Sequence, residues 1–400
     1  MDSLFENEIN KYVHKIDSIF ESSNFVMYAL KSIQKQQAET IKNTYKEEIL
    51  DEVDGDEYQE IKLKIPYDKL SGFMRHIKRM EQFKIGNEIF PKSFVVMLVS
   101  LFDAYVGCLI RTIFCIKPEI LNASEKAMTY GDLLQYPSID DAKEYIIEKE
   151  IEDVLRRSHE DQFRWLENKL KINLNKELPS WPDFIEITER RNLFVHVDGN
   201  VSSQYINVCK KHSVKFEKDY KVGESLTVSK DYLKKSYNVL LEIGVKLGHV
   251  LWRKLKEDEI KIADSNMNLV CYELLVNNKY DLALELLKFA TEIIKKHSSE
   301  EMRLTLIVNK AQAYKWLGDN EAVNNIVTSI DWSAYSDLFK LAYNVLIDNY
   351  SMASEIMLKI GNSKEISKLD YKEWPLFKEF RKTKEFMDAY EKIFSEKLNI

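Results

Sequence analysis

Four hundred residues exceed what a single hydrophobic core organises comfortably, so two or three separately packed regions are expected. The 45% hydrophobic and 31% charged fractions exclude an extensively disordered chain. With 58 Lys and Arg against 65 Asp and Glu, a formal charge of -7, overall charge cannot draw in nucleic acid, and any hold on RNA depends on a local patch or cleft.

The chain opens on an acidic stretch without the basic run of a signal peptide. Phe5, Ile9, Val13, Ile16 and Ile19 recur at helical spacing, which predicts an N-terminal helical arm, and residues 1–60 comprise this arm and an acidic linker. In the linker, Asp51, Glu52, Asp54, Asp56 and Glu57 lack the ordered spacing of a calcium loop and read as a solvated connection. Ile61-Lys62-Leu63-Lys64-Ile65 alternates, as one short strand or an extended linker would, without requiring a sheet.

Pro91 is suited to begin the next helix and Pro118 lies beyond its end. Between them, residues 94–115 are long and apolar enough to raise the membrane question, but Asp103 and Arg111 would be costly at hydrocarbon depth. A central bundle helix, no membrane partner and a cytoplasmic location are the expectation. Cys108 and Cys115 share one helical face, and with Cys209 and Cys271 they fit neither a disulfide framework nor a ligand quartet; buried thiols are expected. Residues 141–171 are amphipathic, the Pro-Ser-Trp-Pro stretch ending at Pro182 interrupts them, and a new helix is expected from Asp183 to about Gly199. A loop or small hairpin is expected over residues 200–225. Ser229 then caps a helix bearing Leu233, Tyr237, Leu240, Leu241 and Gly244 on one face. Residues 61–255 thus read as one helical domain.

From about Met267 the pattern becomes helical hairpins, with turns before Ala283, Ala322 and Ala353 that suit close helix packing. Their uneven intervals lie near the repeat of about 34 residues that tetratricopeptide arrays use, and residues 256–400 resemble a degenerate form of one. Trp374, Phe377, Phe380, Phe386, Tyr390 and Phe394 read as the core of a terminal helix pair. The fold class is all-α: a helical bundle followed by α-helical hairpin repeats.

The one constellation with a chemical reading is Arg191-Asn192-Leu193-Phe194-Val195-His196. A five-residue step leaves two helix side chains about 140° apart around the axis and about 7.5 Å apart along it, so Arg191 must lean to reach a cleft near His196. RNA carries its own nucleophile, the 2′-hydroxyl; histidine can move its proton near neutral pH, and an arginine fork can stabilise charge growing on the phosphate. Asn192 can orient a phosphate or anchor Arg191. Such cleavage leaves a 2′,3′-cyclic phosphate and needs neither metal nor cofactor. Arg190 adds a second charge, for phosphate guidance or for a salt bridge. Asp103 suits either support of the histidine or an interhelix ion pair with an arginine. His14, His76, His159, His212, His249 and His297 have no ligand spacing and read as ordinary structural or surface residues. Neither a glycine-rich phosphate cradle nor a serine nucleophile elbow is present.

This Arg-Asn-x3-His pattern, with Ser100-Leu-Phe-Asp-Ala-Tyr105 in the preceding apolar helix, resembles the HEPN superfamily of helical ribonucleases, and the likeness spans roughly residues 85–250. The resemblance implies a metal-independent endoribonuclease of the toxin or antiviral abortive-infection type, with Arg191, Asn192 and His196 at its site. It also implies an RNA substrate, transfer RNA among the candidates, and a homodimer that assembles its chemistry across a two-fold interface. The C-terminal repeats suit a protein trigger or inhibitor. The alternative is a noncatalytic HEPN and repeat scaffold that recruits a protein partner.

Overall fold

The computed structural model describes residues 3–54, 59–123, 128–174 and 178–398. They fall into two compact units, Asn7–Gly244 and Met1–Glu6 with Val245–Ile400. Among the described residues the fold is multi-helical, with one two-stranded hairpin and an isolated bridge between Asn200 and Ser225.

The Asn7–Gly244 unit takes most of α1 (Leu4–Thr44), whose Ile9, Tyr12, Val13 and Ile16 are buried at helical spacing. β1 (Ile49–Asp54) and β2 (Gln59–Leu63) then pair antiparallel, Asp54 opposite Gln59. The acidic run is therefore not only a linker. Asp51, Glu52 and Asp54 lie in β1, because the backbone of the alternating segment needs a ladder partner; Asp56 and Glu57 lie outside the described residues.

α2 (Tyr67–Ile116) starts after Pro66, and Pro91 lies inside it, buried, where the sequence suggested a helix start. An interior proline forfeits one helical hydrogen bond, and the long apolar run that follows holds the helix together across that gap. One stretch of α2 is long and apolar enough to cross a membrane, and 56% of it is buried within the protein. Phe94, Leu98, Val99, Phe102, Tyr105, Val106 and Leu109 form its buried face. Cys108 and Cys115 do share a face, but it is the exposed one; Cys209 and Cys271 are the buried thiols. Their i, i+7 spacing marked a stripe without saying which way it turns.

α3 (Tyr130–Leu133), α4 (Ile139–Leu155) and α5 (His159–Leu170) follow, and Arg111 of α2 pairs with Glu144 and Glu148 of α4. α6 (Trp181–His196) ends as Asp198 and Gly199 turn left-handed, with φ of 51° and 85°. The Gly199 N–H closes on the Leu193 carbonyl at 2.9 Å. The expected loop over residues 200–225 instead contains α7 (Ser203–Lys211). Ser202 caps it, and Tyr205 and Cys209, one turn apart, bury against Leu193, Val201 and Leu226. α8 (Lys230–Leu255) begins after Ser229, whose hydroxyl accepts from the Tyr232 N–H, and the division between units falls within it.

The other unit holds α9 (Ile260–Val276), α10 (Tyr280–Lys288) with a π-helical turn at Phe289–Ile293, α11 (Glu300–Leu317) and α12 (Asn320–Thr328). α13 (Asp337–Leu346), α14 (Tyr350–Ile360), α15 (Lys368–Glu373) and α16 (Lys384–Phe394) complete it. Three hairpins share one device. Asn278, Gly318 and Asp348 each adopt a positive φ of 57°, 83° or 58°, and a new helix starts two residues later. Counted from that residue, Ala283 and Ala353 are equivalent and fully buried. Ala322 is half-exposed, and Val323 takes the buried position in α12. The α16 aromatics Phe386 and Tyr390 pack with Phe377 and Phe380 in one core, with Trp374 and Phe394 at its edge.

Candidate active site

α6 carries the polar cluster, and its neighbours decide which of its charges are committed. Arg190 points inward. Its Nε donates to Glu186 Oε1 at 2.6 Å, its Nη1 to the Thr227 carbonyl at 3.3 Å, and its guanidinium lies 3.9 Å from the Tyr232 ring centre. Tyr205 and Tyr232 donate to the same Glu186 carboxylate at 2.6 and 2.8 Å. Burial alone would favour the neutral guanidine, but Tyr232, Glu186 and Tyr205 overcome it and raise the Arg190 pKa. Arg190 is thus a buried structural ion pair, and phosphate guidance is set aside.

Arg191, one residue on, turns toward α2. Its Nη2 donates to Asp103 Oδ2 at 2.9 Å, and the other oxygen of Asp103 contacts His159 Nε2 at 2.7 Å. Asp103 is therefore the interhelix partner of an arginine, and it supports a histidine that lies on α5. The Arg191 and Asp103 side chains are 20% and 23% exposed, while His159 is 7% exposed. Among the described residues the buried Nε of Arg191 has no hydrogen-bond partner. Glu189 is half-buried beside this group; burial pushes its carboxyl pKa up, against the pull of His159, Arg191 and His212. His212 meets Glu160 at 3.2 Å.

His196 closes α6, exposed, and Asn192 precedes it by one turn, half-buried. Among the described residues neither makes a side-chain hydrogen bond. The structure brings Arg191 to Asp103 and His159 and does not add His196 to them. On the Arg191 flank, Ile89, Lys92, Ser93, Met97, Phe194 and Val195 line a groove of about 380 Å³. There Lys92 pairs with Asp198 at 3.2 Å and lies 5.8 Å from the Phe194 ring centre. Met97, Val195 and Val197 are exposed.

Sequence reasoning passed over His159. It precedes Arg191 on a different helix and sits 56 positions from Asp103, and no local spacing signals the meeting. The one sequence hint was a carboxylate, Asp103, on an apolar helix, which demands a partner when buried. Among the described residues no group of three or more His, Cys, Asp and Glu is arranged to hold a metal ion. No family model, no curated protein and no solved structure matches the chain.

Proposed function

We propose that this chain is a metal-independent endoribonuclease, a toxin or antiviral effector whose Asn7–Gly244 unit holds a HEPN-like site and whose C-terminal hairpins form a tetratricopeptide-like region for a protein trigger or inhibitor. The observation that carries the reading is Arg191: its side chain is 20% exposed, its guanidinium is gripped by Asp103 through one N–H, and it stands on the helix that carries Asn192 and ends at His196. In this reading Arg191 stabilises the phosphorane, Asn192 orients the phosphate and His196 moves a proton, so that the 2′-hydroxyl displaces the adjacent nucleotide and leaves a 2′,3′-cyclic phosphate. The substrate is RNA, with transfer RNA the first to test, and the chain acts in the cytoplasm without a cofactor.

A homodimer belongs to the proposal. Arg191 and His196 diverge around α6 by about 140°, so a second copy supplies the group that one copy turns away. The exposed Met97 and Val195, which line the groove, support an apolar contact there.

The test is cleavage of cellular RNA by the purified full chain in EDTA, with end analysis, beside folded His196→Ala. Loss of cutting in the variant is expected, and equal cutting would remove His196 from the site. The noncatalytic scaffold has one observation in its favour, the Asp103 carboxylate that offsets the Arg191 charge. Inertness of the wild type toward diverse RNA would overturn the nuclease reading and make that alternative the better one.

A further inference from the structure

A carboxylate facing a guanidinium on its own frequently takes it as a fork, two N–H groups on two oxygens. Asp103 does not. Its Oδ2 accepts from Arg191 Nη2 at 2.9 Å, but Oδ1 lies 2.7 Å from His159 Nε2, and a carboxylate only accepts, so that nitrogen carries the proton. The Nε–H of Arg191, which is available for a fork, is buried and unpartnered among the described residues.

The His159 ring is held for this task. It stands edge-on to Phe184, centres 5.6 Å apart at 89°, and tilted against Phe102 at 6.4 Å and 42°. It is the first residue of α5, whose Ser158 cap accepts from the Asp161 N–H and sets where the helix begins. Ring and backbone therefore aim one nitrogen at one oxygen.

We infer that His159 is a positioning residue: by occupying one oxygen of Asp103 it keeps Arg191 in a single-bonded grip, with the Nε edge uncommitted for a phosphate oxygen. The identity of that anion rests on the RNA reading; the division of Asp103 does not. An unpaired buried N–H is unfavourable, so an acceptor oxygen placed against it is favoured. Removing the histidine hydrogen bond lets Asp103 close on Arg191 with both oxygens, in competition with the ligand.

The experiment compares wild type, His159→Phe and His159→Gln in the full-length protein. Phe keeps a ring between Phe102 and Phe184 and removes the donor; Gln restores a donor. Each is treated with an arginine-selective dicarbonyl, and modification of Arg191 is read by peptide mass mapping against Arg156, whose side chain is 77% exposed. Expected is slower modification of Arg191 in the Phe variant, with RNA cleavage down by about tenfold, within what misplacing a reacting group costs, and a return of both toward wild type in Gln. A merely structural role predicts the opposite sign, since loosened packing speeds modification. An equal or faster rate in folded Phe variant overturns the proposal. If that variant does not fold, Asp103→Asn decides: modification of Arg191 must speed up, and an unchanged rate overturns the proposal. Rates in the stated order with a wild type that cuts no RNA would support the role of His159 and overturn the RNA reading.

Discussion

Gly244 of α8 and Tyr12 of α1 share one space: a Cβ on residue 244 would fall 2.8 Å from Cζ of the tyrosine ring. That ring stacks on Tyr105 with centres 4.2 Å apart, its hydroxyl donates to the Leu240 carbonyl at 2.7 Å, and the Tyr105 hydroxyl donates to the Gly244 carbonyl at 3.2 Å. Three helices thus meet at a point where only glycine fits. Gly244→Ala should lower stability by about 1–3 kcal/mol, the usual penalty for overpacking. Urea unfolding of the full chain checks it, and an unchanged midpoint would show that Tyr12 has room to retreat.

Two adjacent arginines should separate stability from activity. Arg190→Ala strands Glu186 among Tyr205 and Tyr232, and breaking a buried pair of this kind costs about 3–5 kcal/mol. Arg191→Ala removes a partly exposed pair whose carboxylate keeps His159, for a loss of about 1 kcal/mol or less after solvent screening. In the proposed nuclease it should nevertheless reduce kcat/KM by about a hundredfold or more, as loss of a charge-stabilising donor does. Measuring both quantities in one buffer decides. Equal activity per folded molecule in Arg191→Ala would remove that residue from the chemistry.

Acid should destabilise the C-terminal unit. His249 is fully buried and stacks on Trp252 at 5.8 Å. Burial, with the nearby Arg253 charge adding to it, pushes the pKa of its ring down to about 3. The unfolded chain takes up this proton near pH 6.5 and the folded one only near 3. The His249 contribution is therefore whole above pH 6.5 and declines as pH falls toward 3, by at most about 1.4 kcal/mol per pH unit. His249→Leu should flatten this limb in thermal unfolding between pH 6.5 and 4. A residual loss below that belongs to Asp264, whose pKa His297, the Ser298 N–H and Arg253 hold low against burial, so that its stabilisation disappears as pH falls below the ordinary carboxylate range. An identical pH slope in the variant would exclude His249 as the source.

The same pair locates a usable fragment boundary. Asp264, with its side chain fully buried, meets Arg253 at 2.6 Å, and Arg253 belongs to the last turn of α8. A fragment of residues 245–400 keeps the pair; one of residues 260–400 leaves the carboxylate without its arginine. The longer fragment should unfold cooperatively in circular dichroism, and the shorter one should be less stable by about 3 kcal/mol or more. Equal melting curves would mean that His297 and Ser298 suffice for Asp264.

A mixed-subunit experiment addresses assembly. If Arg191 of one copy serves His196 of another, an excess of Arg191→Ala chain mixed with His196→Ala chain should recover part of the cleavage that each lacks alone, and specific activity should fall on dilution. Full specific activity in a verified monomer would reject the shared site.

Periodicity was enough to read from the sequence alone that the chain is built from helices, that residues 94–115 form a core helix, that a helix follows Ser229 and that hairpins follow Met267, because a helix records its buried face every three to four residues. Local chemistry singled out Arg191, Asn192 and His196, of which only Arg191 enters a charged group, with Asp103 and His159. It could not tell which stripe turns outward: Cys108 and Cys115 share a face, but only the packing of α2 exposes it. Nor could it rank two neighbouring arginines. Arg190 was committed by Tyr205, Tyr232 and Glu186, and Arg191 by Asp103 and His159, through contacts that cross up to 88 positions. Sequence spacing reports neighbours along one helix, whereas charge pairing is decided by whichever groups separate helices bring within about 3 Å, and that meeting exists only once the chain has packed.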